Sequence, residues 1–180
     1  MKPILVAILS LCLLPSARAE LPVGADAPTF TAKAALGGEV FDFSLNEALK
    51  SGPVVLYFYP AAFTPGCSVE AHNFAEATAS YAALGASVIG VSTDNIDTLK
   101  KFSISHCQSK FPVASDADQT ISKAYDAVMM GKYSSRTSYV IAPNGKVLYT
   151  YSNLSPDKHV PNTLDAVRKW HETGTHTTEK

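Results

Sequence analysis

Three short apolar runs, Val54 to Tyr59, Val88 to Val91 and Ser138 to Ala142, stand out along the chain, each bounded by Gly, Pro or Asp. Runs of this length, rich in Val, Ile and aromatic residues, predict strands covered on both faces, because a half-exposed strand would alternate apolar with polar positions. A fourth strand, Val147 to Tyr151, follows Pro143-Asn144-Gly145. Its Asn-Gly pair tolerates positive φ and closes an antiparallel hairpin, so the expected sheet is mixed. Between the strands the apolar spacing changes to three and four residues. From Cys67 to Leu84, the positions Ala71, Phe74, Ala75, Thr78, Tyr81 and Ala82 form one stripe and predict a helix. Asp94-Asn95 can cap a second helix whose buried side is Ile96, Leu99 and Phe102, and Pro112 bars its continuation; Cys107 falls on that helix or just past its end. A short helix from Gln119 to Tyr125 and a last one from Asp157 to Trp170, with Val160, Leu164, Val167 and Trp170 as docking stripe, complete the set. Thr29 to Ala32 and Glu39 to Phe43 around Gly37-Gly38 read as a small N-terminal hairpin in front of this core, and Gly174 to Lys180 as a frayed polar tail. The fold class expected is α/β, a central mixed sheet flanked by helices.

The first residues carry a different signal. Lys2, an apolar run from Ile4 to Leu14 and the small-residue triplet Ala17-Arg18-Ala19 are the three parts of a secretory leader, with cleavage expected after Ala19. The run is too short to span a bilayer stably. Positions 1–19 are thus expected to be a signal peptide and 20–180 one domain, 161 residues with room for a single core. Loss of Lys2 and Arg18 leaves 13 basic against 16 acidic residues. With no basic run or aromatic-and-basic stripe, a nucleic acid or a membrane surface is disfavoured as partner. Periplasmic export follows as the expected localisation. The mature chain would keep only Cys67 and Cys107, too few for a disulfide-stapled scaffold and without the clustering that a zinc site needs.

The strand ending at Pro60 and the helix beginning near Cys67 after Pro65-Gly66 place a thiol in a first helical turn. Unpaired backbone N–H groups and the helix dipole favour negative charge there, and the thiolate is the nucleophilic form of cysteine. That placement leaves two accounts open, a reactive thiolate and a small buried core cysteine.

The segment FYPAAFTPGCSVE resembles the active-site pattern of peroxiredoxins, in which a Pro, a Thr or Ser and the peroxide-attacking Cys recur at the spacing of Pro60, Thr64 and Cys67. The resemblance extends over PVGADAPTF, KFPVASD and RTSYVIAPNGKV to the final helix, and is nearest to the bacterioferritin-comigratory, or Q-type, group. It implies a thioredoxin-like fold and a thiol peroxidase in which Cys67 attacks one peroxide oxygen. Thr64 hydroxyl, the Cys67 backbone N–H and Arg136 would hold the oxygens, Pro60 would shield the sulfur from water, and Glu70 would orient Arg136. It also implies a peroxide substrate, and no metal or organic cofactor is implied; the export signal points to an exported thioredoxin-like protein as reductant, and a monomer is expected because no C-terminal cysteine is there to link subunits.

The sulfenic acid left on Cys67 must meet a second thiol before overoxidation. Many Q-type members carry that thiol five residues after the first, where this chain has His72; others resolve from a helix two elements later, near Cys107. The resemblance therefore implies an intramolecular Cys67–Cys107 disulfide, with local unfolding if the two Cα atoms start more than roughly 7 Å apart. A bystander Cys107 and a permanent structural disulfide remain open beside it. Two other functions stay in competition. A thioredoxin-type oxidoreductase would want Cys-x-x-Cys, which Cys67-Ser68-Val69-Glu70 lacks, and a holdase on the same scaffold would consume no peroxide. The histidines, His72, His106, His159, His171 and His176, show no metal-ligand spacing and are expected as solvated helix or loop residues.

Overall fold

The computed structural model describes residues 20–175, so the leader through position 19, with Cys12, and the last five residues lie outside the described part. Its main sheet has the strand order β2-β1-β5-β4-β3-β8-β9. These strands are β1 (Thr31–Leu36), β2 (Glu39–Ser44), β3 (Val54–Phe58), β4 (Ser87–Ser92), β5 (Val113–Ser115), β8 (Thr137–Ile141) and β9 (Val147–Ser152). Strand β3 is the pivot, parallel to β4 on one side and antiparallel to β8 on the other, and β8 and β9 pair antiparallel across the Asn144-Gly145 turn. The sheet is mixed, as the apolar runs and the turn predict.

All five residues of β3 are buried, and the period of two sends them into different cores. Val55, Tyr57 and then Tyr59 join the larger cluster, where the helices α2 (Pro65–Ala83), α3 (Ile96–Ser105) and α5 (His159–Thr175) pack. Val54, Leu56 and Phe58 join the other, with Leu45 and Leu49 of α1 (Leu45–Leu49) and Ile121 of α4 (Thr120–Ala124). Full burial of one such side chain stabilises by roughly 1.5–3 kcal/mol, so this strand anchors both layers at once. The Tyr57 ring stacks on Phe74 at 4.3 Å and on Tyr59 at 5.4 Å. It lies across Gly90, where an added Cβ would meet the phenol at 2.8 Å, so only glycine admits the ring.

Several boundaries differ from the expectations. Helix α2 begins at Pro65, two residues before Cys67, because proline suits the first helical position. The first strand runs from Thr31 to Leu36 and not from Thr29 to Ala32; it pairs with β2 about Gly37-Gly38 and also with β5, so these strands belong to the main sheet. The short helix α4 covers Thr120–Ala124, and the last helix covers His159–Thr175, continuing past Gly174 where a frayed tail was expected. Strand β5 is only three residues long, and β6 (Val128–Met129) with β7 (Tyr133–Ser134) forms a separate two-residue pairing; segments that short carry no readable period.

Candidate active site

Cys67 is the third residue of α2, following the C-terminal end of β3, and is 1% exposed. A first helical turn has backbone N–H groups without intrahelical acceptors, so the sulfur sits where the helix favours an anion. Arg136, immediately before β8, reaches across and donates from Nη2 to Cys67 Sγ at 3.4 Å. Its other edge is also occupied: Nη1 donates to Glu70 Oε2 in a close ion pair, and Nε donates to the Leu154 carbonyl at 2.9 Å. Three bonds on one guanidinium fix its plane, and a planar fork is the group suited to that. Gly66 makes room for it, since a Cβ there would lie 3.1 Å from Nη2.

Glu70 is one turn after Cys67 and wholly buried. Burial raises its carboxyl to about 8, against the pull of Arg136, which favours the carboxylate. Arg136 itself is pulled down by burial, but the Glu70 and Cys67 charges outweigh this and hold it above the usual arginine value. Behind Glu70 stands His159, the first residue of α5, also wholly buried. This departs from the solvated role expected for the histidines. Its Nε2 donates to the Asn153 carbonyl at 3.0 Å; its Nδ1 is 2.8 Å from Ser138 Oγ and 3.6 Å from Glu70 Oε1. Burial, seconded by the Arg136 charge, lowers the His159 pKa despite the Asn153 carbonyl, so the ring is neutral at neutral pH.

The remaining expected residues take different places. Pro60 is half-buried in the loop between β3 and α2. Thr64 is the N-cap of α2, exposed, with its hydroxyl donating to the Ala61 carbonyl at 2.9 Å, which leaves the oxygen lone pairs free to accept. The loop is pinned from β4, because Asp94 accepts from Ala62 N–H at 2.7 Å and from the Ser92 hydroxyl at 2.8 Å. Phe63 adopts φ +65 in this loop, an uncommon conformation for a bulky residue, and its ring edges against Phe102 and His106 at the end of α3. Cys107 lies two residues past α3, fully buried in the same apolar cluster as Cys67, and both thiols are free. Burial pushes the Cys107 thiol well up, so it is held protonated.

The structure therefore brings Cys67, Arg136 and Glu70 into contact, keeps Pro60 and Thr64 in the segment leading into α2, and holds Cys107 past α3 in the same apolar cluster as Cys67. Sequence reasoning missed Gly66, Ser138 and His159. Gly66 and Ser138 lie inside the quoted segments FYPAAFTPGCSVE and RTSYVIAPNGKV, which would have flagged them; nothing local flags His159. Among the described residues no group of three or more His, Cys, Asp or Glu is placed to hold a metal ion.

A family model described as "AhpC/TSA family" matches residues 23–150. The chain is 37% identical over 144 residues to a protein of Oryza sativa subsp. japonica named "Peroxiredoxin Q, chloroplastic", an alignment covering 78% of this chain and 64% of the rice protein. The chain thus spans somewhat under two thirds of the length of that relative. Among solved structures, "Peroxidoxin BcpB from Mycobacterium tuberculosis" superposes with a TM-score of 0.74 at 33% identity, covering 82% of this chain and 96% of that one. The Plasmodium yoelii thioredoxin peroxidase I gives a TM-score of 0.76 at 26% identity, covering 86% and 93% of the two chains.

Proposed function

From the premise that this chain belongs to the AhpC/TSA family and has the thioredoxin-like fold of its peroxiredoxin neighbours, we propose that it is a thiol-dependent peroxidase whose nucleophile is Cys67. The observation that carries the reading is the position of Cys67 Sγ, in a first helical turn and 3.4 Å from an arginine nitrogen whose other edge is fixed by a buried carboxyl. The Cys67 thiolate attacks the terminal oxygen of ROOH. An S–O bond forms, the O–O bond breaks, Cys67 becomes the sulfenic acid and RO⁻ departs to take up a proton. Negative charge grows on the oxygens during this step. The Arg136 guanidinium and the first-turn N–H groups meet it as fixed charge and dipoles, which stabilises the transition state more than the ground state, while Thr64 Oγ1, its own proton given to the Ala61 carbonyl, accepts from the peroxide O–H. Pro60 keeps bulk water from the sulfur.

The Cys107 thiol then condenses with the sulfenic acid, forming the Cys67–Cys107 disulfide and releasing water. A dithiol protein of thioredoxin type reduces that disulfide and is itself oxidised. Residues 1–19 act as an export signal, the peroxidase works as a monomer in the periplasm, and its reductant is an exported protein; the three-part leader motif supports the export reading.

Stopped-flow peroxide reduction with mass analysis of the oxidised protein tests these steps together. Wild type should consume peroxide and carry a Cys67–Cys107 disulfide. Cys67→Ser should consume none, and Cys107→Ser should react once and then fail to cycle with a dithiol reductant. Peroxide consumption equal in Cys67→Ser and wild type would refute the nucleophile, and sustained dithiol-driven turnover in Cys107→Ser would refute the resolving thiol.

A further inference from the structure

One of the three acceptors that fix the Arg136 guanidinium comes from an exposed loop. Asn153, Leu154 and Ser155 all face solvent between β9 and α5, and Leu154, 70% exposed, lies outside both apolar clusters. Loops of this kind are ordinarily the mobile parts of a fold. Yet the Leu154 carbonyl accepts from buried Arg136 Nε at 2.9 Å. Two bonds of the preceding residue draw the loop inward: Asn153 N–H donates to the Arg136 carbonyl at 3.2 Å, and the Asn153 carbonyl accepts from His159 Nε2 at 3.0 Å. The bonds of Ser155, to Asn153 Oδ1 and to Asp157, stay within the loop.

His159 is wholly buried, and both nitrogens of its ring are committed. The Asn153 carbonyl can only accept, so the ring proton is on Nε2, and the one lone pair on Nδ1 is taken by the Ser138 hydroxyl at 2.8 Å. Glu70 Oε1, 3.6 Å from Nδ1, makes no hydrogen bond, so the ring meets the site through the Asn153–Leu154 peptide and not through the carboxyl. Further anchors hold the ring in place. Thr163 donates to the His159 carbonyl at 2.6 Å and lies 2.7 Å from the Tyr81 hydroxyl of α2, the helix that carries Cys67 and Glu70. The Tyr151 ring of β9 packs edge-on against the imidazole at 4.8 Å.

We propose that His159 is a positioning residue for the peroxide reaction: locked by Ser138 on one nitrogen, it fixes the Asn153 carbonyl with the other, and thereby the adjoining Leu154 carbonyl that aims Arg136 at Cys67. The inference rests on the peroxidase reading above. Its physical content is that a guanidinium held on Nε as well as on Glu70 keeps its remaining edge on the sulfur, whereas one held on Glu70 alone can pivot.

Two replacements of His159 separate this from a role in packing. A glutamine amide nitrogen reaches the position of imidazole Nε2 and can still donate to Asn153; an asparagine amide reaches only the position of Nδ1 and keeps Ser138 alone. The first readout, on the full chain, needs no peroxide, so its failure is distinguishable from failure of the peroxidase reading. Nitrogen NMR at neutral pH should show His159 protonated on Nε2 and bare on Nδ1, and the Arg136 Nε–H should exchange slowly with solvent. That exchange should quicken about tenfold or more in His159→Leu and His159→Asn and stay near wild type in His159→Gln. The second readout is the rate constant of Cys67 with hydrogen peroxide, which should fall about tenfold in the leucine and asparagine variants, the lower end of the usual loss for an outer partner of a reactive centre. His159→Gln should recover most of it. Should the leucine variant not fold, the glutamine and asparagine pair decides. A ring protonated on Nδ1, Arg136 exchange unchanged in His159→Asn, or equal losses in the glutamine and asparagine variants that follow their urea midpoints would each overturn the proposal.

Discussion

The two thiols of the domain share one apolar cluster and live in opposite surroundings. Cys67 sits in a regular helical turn with a guanidinium on its sulfur and a polar chain of Glu70, His159 and Ser138 behind it. Cys107 sits past the end of α3 among aromatic residues, its thiol held protonated by burial. The next two residues, Gln108 and Ser109, both adopt left-handed backbone with φ of 52 and 56, a conformation that costs a non-glycine residue about 1–3 kcal/mol. Exposed polar contacts hold that strained segment against α2: Gln108 Nε2 donates to His72 Nδ1 at 2.9 Å, and Lys110 Nζ pairs with Glu76 at 3.3 Å. The difference separates two tasks. One cysteine is preorganised for charge, which wants fixed donors and a rigid frame. The other is held protonated in a strained and weakly fastened segment, which suits the resolving role proposed for it.

The largest effect should come from stripping Cys67 of its cation. Arg136→Leu should cost about 10²–10³ in the rate constant for peroxide, the usual loss for a charge-stabilising donor, and also strands the Glu70 carboxyl. Arg136→Lys should recover only part, because an ammonium cannot bridge sulfur, carboxyl and carbonyl from one plane. A rate in Arg136→Leu within twofold of wild type would erase the distinction between the pockets. Next comes Gly90→Ala. The added methyl strikes Tyr57, whose phenol titrates far above its normal range through burial first and then the charges of Cys107, Tyr59, Glu70 and Cys67. Overpacking there should destabilise by about 1–3 kcal/mol, read as a lower urea midpoint with unchanged slope.

Stability should also depend on pH through Glu70. Its folded carboxyl keeps a proton up to about 8, whereas the unfolded chain releases it in the ordinary carboxylate range. The folded state therefore binds the extra proton between those limits, and Glu70 makes stability fall as pH rises through them and level off above. Glu70→Gln should flatten that part of the profile in chemical denaturation. The smallest effect belongs to the Cys107 fastening. His72→Ala and Lys110→Ala each remove an exposed contact worth about 0.2–1 kcal/mol, so the disulfide should close up to about fivefold faster while the first peroxide step is untouched. Slower closure would show that these contacts guide Cys107 inward.

The same contrast sets what could be read before the fold was known. Pro60, Thr64, Cys67 and Glu70 fall within eleven consecutive residues, so strand, loop and helix start declare themselves in one motif. Arg136 lies 69 positions from Cys67 and was visible only because it heads a second recognisable segment. His159 is 89 positions beyond Glu70 with nothing distinctive around it. Its burial comes from the docking of α5 against α2 and β9, a tertiary event that no local period records. Strand β5 and the β6–β7 pairing escaped for the related reason that two or three residues hold no alternation. The left-handed Gln108 and Ser109 carry no glycine to announce them.

The account turns on one sulfur being ready and the other withheld within the same folded chain. A substoichiometric pulse of hydrogen peroxide on the fully reduced protein, followed within milliseconds by a sulfenic acid trap and peptide mass mapping, reads that difference directly. The trap should be found on Cys67 and absent from Cys107 at the earliest times, with the disulfide appearing later. Equal labelling of the two cysteines, or Cys107 labelled first, would contradict it.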